Sequence, residues 1–472
     1  MVTAWIPIGY LVAATLFILG LRNLSKVKTA ARGNTLAALG MLLAIVLTLI
    51  DVAAVDYRYI LAGLVVGTGI GAVVATRVPM TAMPEMVALF NGFGGGASAL
   101  VALSVFFQGL EGGSSGGSGG VLARLGGPEV AVSGQLSLLI GALTFSGSLI
   151  AYLKLRGSAI EKALRLPGGN ILTGLTLVVS LVVGGAIFGP VDVPAATLLI
   201  LALALISLFL GVAMVMPIGG ADMPVVIALL NSLSGVAAAM TGFVLSNYLL
   251  IIAGSLVGAS GLILTQIMCK AMNRSLVNVL FSGFGGEAGT GGKQGYTNIK
   301  EASAEEVALL LEDAGAVVIV PGYGLAVARA QHVTRELADY LESRGTKVRF
   351  AIHPVAGRMP GHMNVLLAEA DVPYDHLLEM QQINPEFKSY DVAIVLGAND
   401  VVNPAALNDK ASPIYGMPIL NVHEAQTVVV VKRSLSPGFA GIPNELFDHD
   451  NTVMAFGDAK QVMTDVLNDL KE

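Results

Sequence analysis

The feature that most constrains the fold of this 472-residue chain is a series of nine long apolar stretches within residues 1–270. Each stretch is close to the ~20 residues with which a helix crosses a bilayer. Only 13% of the residues are charged, whereas a soluble domain has roughly a quarter. We therefore predict an all-α membrane domain over residues 1–270. Its nine transmembrane helices are expected at about residues 4–22, 33–50, 58–76, 83–108, 131–153, 171–189, 193–216, 223–246 and 248–269.

The connections between these stretches alternate in charge. Basic residues such as Lys26, Arg77 and Lys162 collect in every second connection, and Lys270 follows the last stretch. Cytoplasmic loops of membrane proteins carry the excess of Lys and Arg. The N-terminus is therefore expected outside the cell and the C-terminal part in the cytoplasm.

Two of the stretches repeat one another. Residues 83–95 and 223–235 share Met, Pro, Ala, Leu, Asn and Gly at identical spacing, which places Asn91 and Asn231 at equivalent positions. At ~1.5 Å per residue, each amide lies roughly 12 Å inside its helix, where a polar group needs a partner or a water. Two interpretations stay open: hydrogen bonds that hold helices together, and a hydrated path for a proton.

Asp222 immediately precedes the second repeat, where the first repeat has Ala82. It fits the cytoplasmic mouth of such a path, and equally well the N-cap of a helix. Glu85 suits a partner of the helix dipole in the first turn. The membrane half contains no histidine, so by itself it offers no group that titrates near neutral pH at mid-membrane.

Charged residues concentrate after residue 270 and indicate a second, soluble domain. Residues 271–298 contain a Gly-rich stretch and are predicted to be a hinge or linker. Residues 299–472 are predicted to form a doubly wound, Rossmann-like α/β domain. Its strands are expected at residues 317–320, 347–352, 391–396, 419–422, 427–431 and 452–456.

The first of these strands runs into a glycine turn and a helix that is predicted to continue to about Leu341. Gly322 and Gly324 fit a turn that lets the backbone approach a diphosphate, while Val327 stands where a third glycine is usual. The second strand ends at Ile352 without the acidic residue that binds the ribose of NAD. This favours NADP or another phosphate ligand.

Lys432 and Arg433 follow a later strand at the same sheet edge. Two adjacent cations there suit a 2′-phosphate, although a solvated surface pair has the same pattern. Asp400 follows the strand that ends at Leu396, at the sheet edge where α/β domains bind ligands, and an Asx turn is the alternative interpretation of its carboxylate. No basic patch indicates nucleic acid, and we expect no metal site.

Several longer motifs make a resemblance to a known family specific. They are Pro321-Gly-Tyr-Gly-Leu-Ala-Val-Ala328, Ile352-His-Pro-Val-Ala-Gly-Arg-Met-Pro-Gly-His-Met-Asn364, Gly397-Ala-Asn-Asp-Val-Val-Asn-Pro404, Lys432-Arg-Ser434, Gly438-Phe-Ala-Gly441, Gly219-Gly-Ala-Asp-Met-Pro224 and Met268-Cys-Lys-Ala-Met-Asn-Arg274. With these motifs the chain resembles, over essentially its whole length, the β subunit of the proton-translocating NAD(P) transhydrogenase.

The resemblance implies an inner-membrane enzyme in which this chain binds NADP(H). A partner α subunit, with further membrane helices, would bind NAD(H). Hydride would pass directly from NADH to NADP⁺, coupled to proton movement into the cytoplasm, in a dimer of the heteromeric complex.

The resemblance also implies residue roles. Asp400 is expected beside the nicotinamide, Lys432 and Arg433 at the 2′-phosphate, and the 438–441 loop closing over the cofactor. The full set of expected cofactor contacts is Gly322, Tyr323, Gly324, Ala326, Val327, Val355, Ala356, Gly357, Arg358, Met359, Pro360, Gly397, Ala398, Asn399, Asp400, Lys432, Arg433, Ser434, Phe439, Ala440, Gly441, Gly457, Asp458 and Ala459.

Two positions depart from the family pattern: many relatives carry histidine at position 91 and some carry tyrosine at position 439, where this chain has Asn91 and Phe439. We therefore expect a titrating histidine from a membrane helix of the partner chain. Asn91 and Asn231 would hydrate and orient it, and Asp222 would accept the proton at the cytoplasmic mouth. The alternative from another class is a membrane transporter or channel whose Rossmann domain only senses nucleotide. A dehydrogenase with its own substrate pocket is a third reading.

Overall fold

A computed structural model describes residues 5–24, 29–51, 57–112, 121–157, 169–219, 222–282, 296–438 and 440–472. By its internal contacts the chain divides into two compact units. The first contains the described residues up to Arg156, then residues 169–217 and Ile227–Ile263. The second contains Ile218–Val226 and the described residues from Leu264 onward.

Nine helices within the described ranges are long and apolar enough to cross a membrane. They are α1 (Ile6–Leu24), α2 (Ala30–Asp51), α3 (Tyr57–Arg77), α4 (Met83–Gly112), α6 (Pro128–Leu155), α7 (Gly169–Ala186), α8 (Val193–Val215), α9 (Met223–Val244) and α10 (Tyr248–Ala271). The short helix α5 (Val121–Arg124) lies between α4 and α6. The predicted multi-pass membrane domain of about nine helices is therefore confirmed.

Helices α4, α6 and α8 supply the apolar centre of the first unit. Phe106, Leu138 and Leu203 are fully buried there. A polar contact crosses the same region, because Ser137 Oγ lies 2.8 Å from Thr241 Oγ1 of α9. Helix α3 differs, since none of its residues is buried by the described part of the chain. Its apolar surface is left for lipid or for another chain.

The second unit contains a six-stranded parallel sheet. Its strands are β1 (Ala316–Pro321), β2 (Lys347–Ile352), β3 (Leu377–Glu379), β4 (Val392–Leu396), β5 (Thr427–Lys432) and β6 (Thr452–Phe456), in the order β3-β2-β1-β4-β5-β6. The central strands β1, β4 and β5 are rich in Val and Ile and almost wholly buried, as in sheets covered by helices on both faces. The chain adds strands first on one side of β1 and then on the other, which leaves a crevice between the loops after β1 and β4. The predicted doubly wound α/β domain is confirmed.

Seven helices accompany the sheet: α11 (Ala304–Glu312), α12 (Tyr323–Ala328), α13 (Gln331–Ser343), α14 (His362–Glu369), α15 (Met380–Ile383), α16 (Ala405–Asn408) and α17 (Ala459–Lys471). Helix α11 begins with a capping box, in which Ser303 Oγ accepts from the Glu306 N–H and the Glu306 carboxylate accepts from the Ser303 N–H. This capping box fixes the start of α11 at Ser303.

The structure differs from the sequence predictions in three elements. The strand expected at residues 419–422 is wrong: Leu420 is buried but donates its N–H to the Val401 carbonyl at 2.9 Å. Val401 lies in the loop after β4, and both sides of β4 itself are already paired with β1 and β5, so this segment packs beside the loop and does not join the sheet. The three-residue edge strand β3 was missed. The single helix expected to Leu341 is interrupted at Arg329, whose φ of 51° is left-handed.

Candidate functional site

A cavity of about 440 Å³ opens at the carboxyl edge of the sheet, where the loops after β1, β2, β4, β5 and β6 meet. The predicted contacts that line it are Gly322, Tyr323, Gly324, Val327, Val355, Ala356, Gly357, Arg358, Gly397, Ala398, Asn399, Asp400, Lys432, Arg433, Ser434, Gly457, Asp458 and Ala459. Six further lining residues were not among the predicted contacts: Ala328, Val401, Val431, Ser436, Pro437 and Gly438. The cavity therefore gathers most of the predicted set at one place.

Five predicted contacts do not line the cavity, and a sixth lies outside the described residues. Ala326 and Met359 are buried behind its wall. Pro360, Ala440 and Gly441 lie in loops that contribute other residues to it. Phe439 lies outside the described residues, so its predicted part in a closing loop stays a prediction.

The glycine turn after β1 packs directly on the loop after β4. A Cβ atom at Gly322 would lie 2.4 Å from the backbone nitrogen of Ala398, closer than any side chain can approach. The Gly322 N–H donates to Leu396 O at 2.9 Å, and the Gly324 N–H donates to Gly397 O at 3.0 Å. Glycine is required here for close approach between two loops. The helix behind the turn, α12, is six residues long, which is shorter than the sequence suggested.

The loop after β2 is shaped by Gly357 and His362. Gly357 has a φ of +104°, which disfavours any residue with a side chain. His362 Nδ1 accepts the Arg358 N–H at 3.0 Å, and the Arg358 guanidinium lies 4.5 Å from the centre of the Tyr323 ring. Burial, and then the charge of Arg358, lower the pKa of His362 to about 4. His362 is therefore neutral at physiological pH and acts as an acceptor that holds the loop.

His353, at the end of β2, holds the other side of the same loop. Its Nε2 lies 2.9 Å from the Pro418 carbonyl oxygen, and its Nδ1 accepts the Val355 N–H at 3.3 Å. Burial lowers its pKa to about 4, against a smaller opposite effect of the Pro418 bond. Both histidines belong to a motif noted in the sequence, but we predicted no role for either of them. Their positions at the two ends of the loop after β2 are the sequence feature that could have indicated a role in holding that loop.

Two charged groups hold Ser436 and Ala440, which lie on either side of the undescribed residue 439. Asp400 Oδ2 accepts the Ala440 N–H at 2.9 Å. Lys432 Nζ donates to the Ser436 carbonyl and lies 5.4 Å from the centre of the Phe447 ring. Burial lowers the pKa of Lys432, and the nearby Asp400 carboxylate opposes that shift. Arg433 is exposed beside them and also lines the cavity.

Two buried asparagines that sequence reasoning missed support the same region. Asn444 is 1% exposed and donates from Nδ2 to both oxygens of Asn399, at 3.1 and 2.9 Å. Asn403 is fully buried and donates to the Pro443 carbonyl at 3.0 Å. These amides fasten the chain after residue 441 to the loop that carries Asn399 and Asp400. A lone Asn in a loop gives no sequence signal for such a role.

The two repeat asparagines have different surroundings in the first unit. Asn91 donates from Nδ2 to Ser148 Oγ at 3.0 Å, and its carbonyl accepts from Ser234 Oγ at 3.3 Å. Asn231 is exposed, so the described part of the chain does not cover its amide. An exposed amide at hydrocarbon depth is costly without a partner.

Asp222, in the second unit, is fully buried and forms an ion pair. Both of its carboxylate oxygens accept from Arg274 Nη1, at 2.9 and 2.8 Å. This pairing was not anticipated from the sequence.

The chemistry of the cavity suits a phosphorylated dinucleotide. The cavity is lined by glycine turns and by the cationic side chains of Arg358, Lys432 and Arg433, and the rest of its wall is mostly apolar. Cations next to a close-approaching backbone are the groups that bind phosphates in Rossmann folds. The fold and the cavity thus define a class: a multi-pass membrane protein that carries a Rossmann-type nucleotide domain.

Comparison with known proteins narrows that class to a family. The family model described as NAD(P) transhydrogenase beta subunit matches residues 6–469. A protein of Rhodospirillum rubrum named NAD(P) transhydrogenase subunit beta is 50% identical over 462 residues, which covers 97% of each chain. A second protein with that name, from a specified strain of the same species, gives the same values. The chain belongs to the NAD(P) transhydrogenase β-subunit family, whose members are subunits of an oxidoreductase.

Proposed function

We propose that this chain binds NADP(H) and, with a partner α subunit that carries NADH, catalyses hydride transfer from NADH to NADP⁺ coupled to proton movement into the cytoplasm. The observation that carries the proposal is the cavity at the carboxyl edge of the sheet, where the strand order reverses. Lys432 ends β5 and Arg433 follows it there, and β2 is not followed by an acidic residue. The name of the two Rhodospirillum rubrum relatives, NAD(P) transhydrogenase subunit beta, supports the same reaction class.

The residues of the cavity divide into groups by what they can bind. The Gly322 turn and the Gly357-Arg358 loop suit the diphosphate, while Lys432, Arg433 and Ser434 suit the 2′-phosphate. Asp400 would lie near the nicotinamide, with the 438–441 loop as the cover, which the bond from the Ala440 N–H to Asp400 supports. When bound, the nicotinamide ring supplies the hydride-accepting carbon, and no side chain need act as acid or base on it.

Placement is then the main contribution of this chain to the rate. Two nicotinamides must meet with their reacting atoms about 3–3.5 Å apart, and holding them there removes an entropy cost of roughly 7–11 kcal/mol. The bonds that hold the cavity loops, through His353, His362 and Asn444, serve this placement. The lowered pKa of Lys432 fits a cation whose desolvation a phosphate would offset.

The proton path belongs to the same proposal. Asn91 already joins Ser148 and Ser234, whereas Asn231 is exposed in the described part of the chain. Because an exposed amide at this depth needs a polar partner, we infer that a membrane helix of the partner chain packs against α9. That helix would carry the titrating histidine, and Asp222 would stand at the cytoplasmic mouth. The cytoplasmic placement of the nucleotide domain, the inner-membrane location and a dimer of the complex are parts of the proposal.

Cofactor selectivity tests the binding part. Lys432→Ala with Arg433→Ala should remove most of the preference of the full chain for NADP(H) over NAD(H), since each charged hydrogen bond contributes about 1.5–3 kcal/mol. The matched control is Lys388→Ala with Lys410→Ala, which removes the same charge from exposed positions outside the cavity. Isothermal calorimetry in detergent measures both affinities. Equal affinity of the unaltered chain for the two cofactors would contradict the proposal.

Reduction of an NAD analogue by NADPH, in membranes that hold this chain with its partner, tests the reaction itself. Turnover that moves protons across the membrane supports a coupled transhydrogenase. Nucleotide binding without any hydride transfer would instead support a transporter that senses nucleotide.

A further inference from the structure

The turns that precede β5 and β6 bring two histidines together at the amino edge of the sheet. His423 lies in the turn before β5 and His449 in the turn before β6, and these two strands pair in parallel. The amino ends of parallel neighbours share one edge, so the pair lies opposite to the nucleotide cavity at the carboxyl edge. The two histidines are far apart in the sequence, and no local motif joins them.

The backbone of both histidines is held by one short segment at the start of β6. Asn451 Nδ2 donates to the carbonyl oxygens of His423 and Ala425, at 3.1 and 2.8 Å. The Thr452 N–H donates to the His449 carbonyl oxygen at 3.0 Å. The fold itself therefore sets the separation of the two side chains.

The geometry of the two rings is close to that of two ligands on one metal ion. Their centres lie 6.0 Å apart, and their planes are inclined at 73°. Two imidazoles bound to one tetrahedral Zn²⁺, with Zn–N distances of about 2.0–2.1 Å, have ring centres about 5 Å apart. Both side chains are half-buried, so an ion can reach them from solvent, and a small side-chain rotation closes the remaining difference.

The His423 ring also has a nitrogen that is available to a ligand. Its Nδ1 is buried and has no hydrogen-bond partner among the described residues. Buried side-chain nitrogens nearly always have a partner. Burial lowers the pKa of His423, against a smaller opposite effect of the Glu424 charge. The ring is therefore neutral at physiological pH, and a neutral imidazole is the form that binds a metal.

We propose that His423 and His449 form a binding site for a divalent transition metal ion of the kind that imidazole suits, with Zn²⁺ as the representative ion. Within the described ranges no group of three His, Cys, Asp or Glu side chains could hold a metal ion. Water would therefore complete the coordination of an ion held by the two imidazoles. The bound ion would tie the turn before β5 to the turn before β6. The site is independent of the proposed reaction.

The test titrates Zn²⁺ by isothermal calorimetry into the full chain in detergent, prepared without a histidine tag and freed of metal with a chelator. We expect saturable binding by the unaltered chain. His423→Gln and His449→Gln should each weaken it at least about tenfold, since even outer-shell partners of a metal ligand contribute about 10- to 100-fold. His449→Cys, which replaces one zinc ligand with another, should retain binding.

His376→Gln is the matched control, because His376 lies elsewhere beside a carboxylate, with its Nδ1 3.3 Å from Glu342 Oε1. It should bind Zn²⁺ like the unaltered chain. Pulse proteolysis without metal shows whether each variant is folded, and if one glutamine variant does not fold, the other decides. Zn²⁺ should also make the unaltered chain more resistant to proteolysis in urea, a measurement that needs no variant.

Two results would overturn the inference. One is the absence of saturable Zn²⁺ binding and of protection by Zn²⁺ in the unaltered chain. The other is binding by the folded glutamine variants that equals that of the unaltered chain. In either case the two rings only pack against each other.

Discussion

The two buried histidines make the stability of the nucleotide domain sensitive to acid. His353 and His362 are each 1% exposed, and burial lowers the pKa of each to about 4 from the usual 6.5. Between the pKa of the unfolded chain and the lower pKa of the folded chain, each histidine binds a proton in the unfolded chain and not in the folded chain. Stability is therefore fully present above about pH 6.5 and falls as the pH is lowered toward 4.

The magnitude follows from linkage. On going from about pH 7.5 to about pH 5, each histidine with these two pKa values removes about 2 kcal/mol of unfolding free energy. Together they remove about 4 kcal/mol, a large part of the 5–15 kcal/mol of a typical domain. Carboxylates also make the unfolding free energy depend on pH. The contribution of a histidine is therefore isolated by substituting that histidine.

His353→Gln is the informative variant. A glutamine amide can donate to the Pro418 carbonyl but does not titrate, so the loss between the two pH values should shrink by about 2 kcal/mol. Pulse proteolysis of the full chain in urea, with detection at the C-terminus, measures unfolding of this domain in the presence of the membrane helices. His332→Gln is the matched control, because it makes the same substitution at an exposed histidine.

Only the difference between the two pH values is compared, because Gln also changes packing at neutral pH. If His353→Gln loses as much stability on acidification as the unaltered chain, within about 0.5 kcal/mol, His353 is not held neutral by burial. We expect the unaltered chain and His332→Gln to lose the same unfolding free energy between the two pH values, and His353→Gln to lose less.

Two further predictions concern the site and the membrane path. Asp400→Asn should reduce coupled turnover more than NADP(H) affinity, because the carboxylate orients the Ala440 backbone at the cavity mouth; normal turnover with a normal pH profile would remove Asp400 from the site. Asn231→Leu should abolish proton-coupled turnover and leave NADP(H) binding intact. Asn91→Leu should in addition lower the thermal stability of the purified complex, since it also loses the bond to Ser148. Wild-type pumping by both variants would show that these asparagines only pack.

The sequence predicted those parts of the fold that depend on local pattern. Val317 to Val320 is an apolar run between a capped helix and a glycine turn, so strand, turn and helix followed from neighbouring residues alone. The nine membrane helices followed equally from length and hydropathy. The segment at Leu420 has the same apolar character as a strand, but the sheet offered it no partner, and partner availability is not a local property.

For the candidate site, the residues at the sheet edge could also be predicted from local pattern. The long-range contacts that support them could not, because they too depend on distant partners. Lys432, Gly322 and Gly357 could be placed because strand ends and turn residues specify the sheet edge. The Asp222–Arg274 pair joins residues 52 positions apart, and Asn444 reaches Asn399 across 45. Such bonds depend on the assembled fold, and nothing in either neighbourhood encodes them.

Helix α3 has a consequence for how the chain tolerates substitution. With mean hydropathy 1.9 and no fully buried residue, its placement in the membrane depends mainly on transfer from water to lipid and gains little from packing within the described chain. A large-to-small change in α6, where 61% of the apolar window is buried, adds the cost of a cavity to the cost of transfer. In α3 only the transfer cost applies. Positions of α3 that tolerate substitution in the separate chain but not in the complete complex would therefore identify contacts made by another subunit.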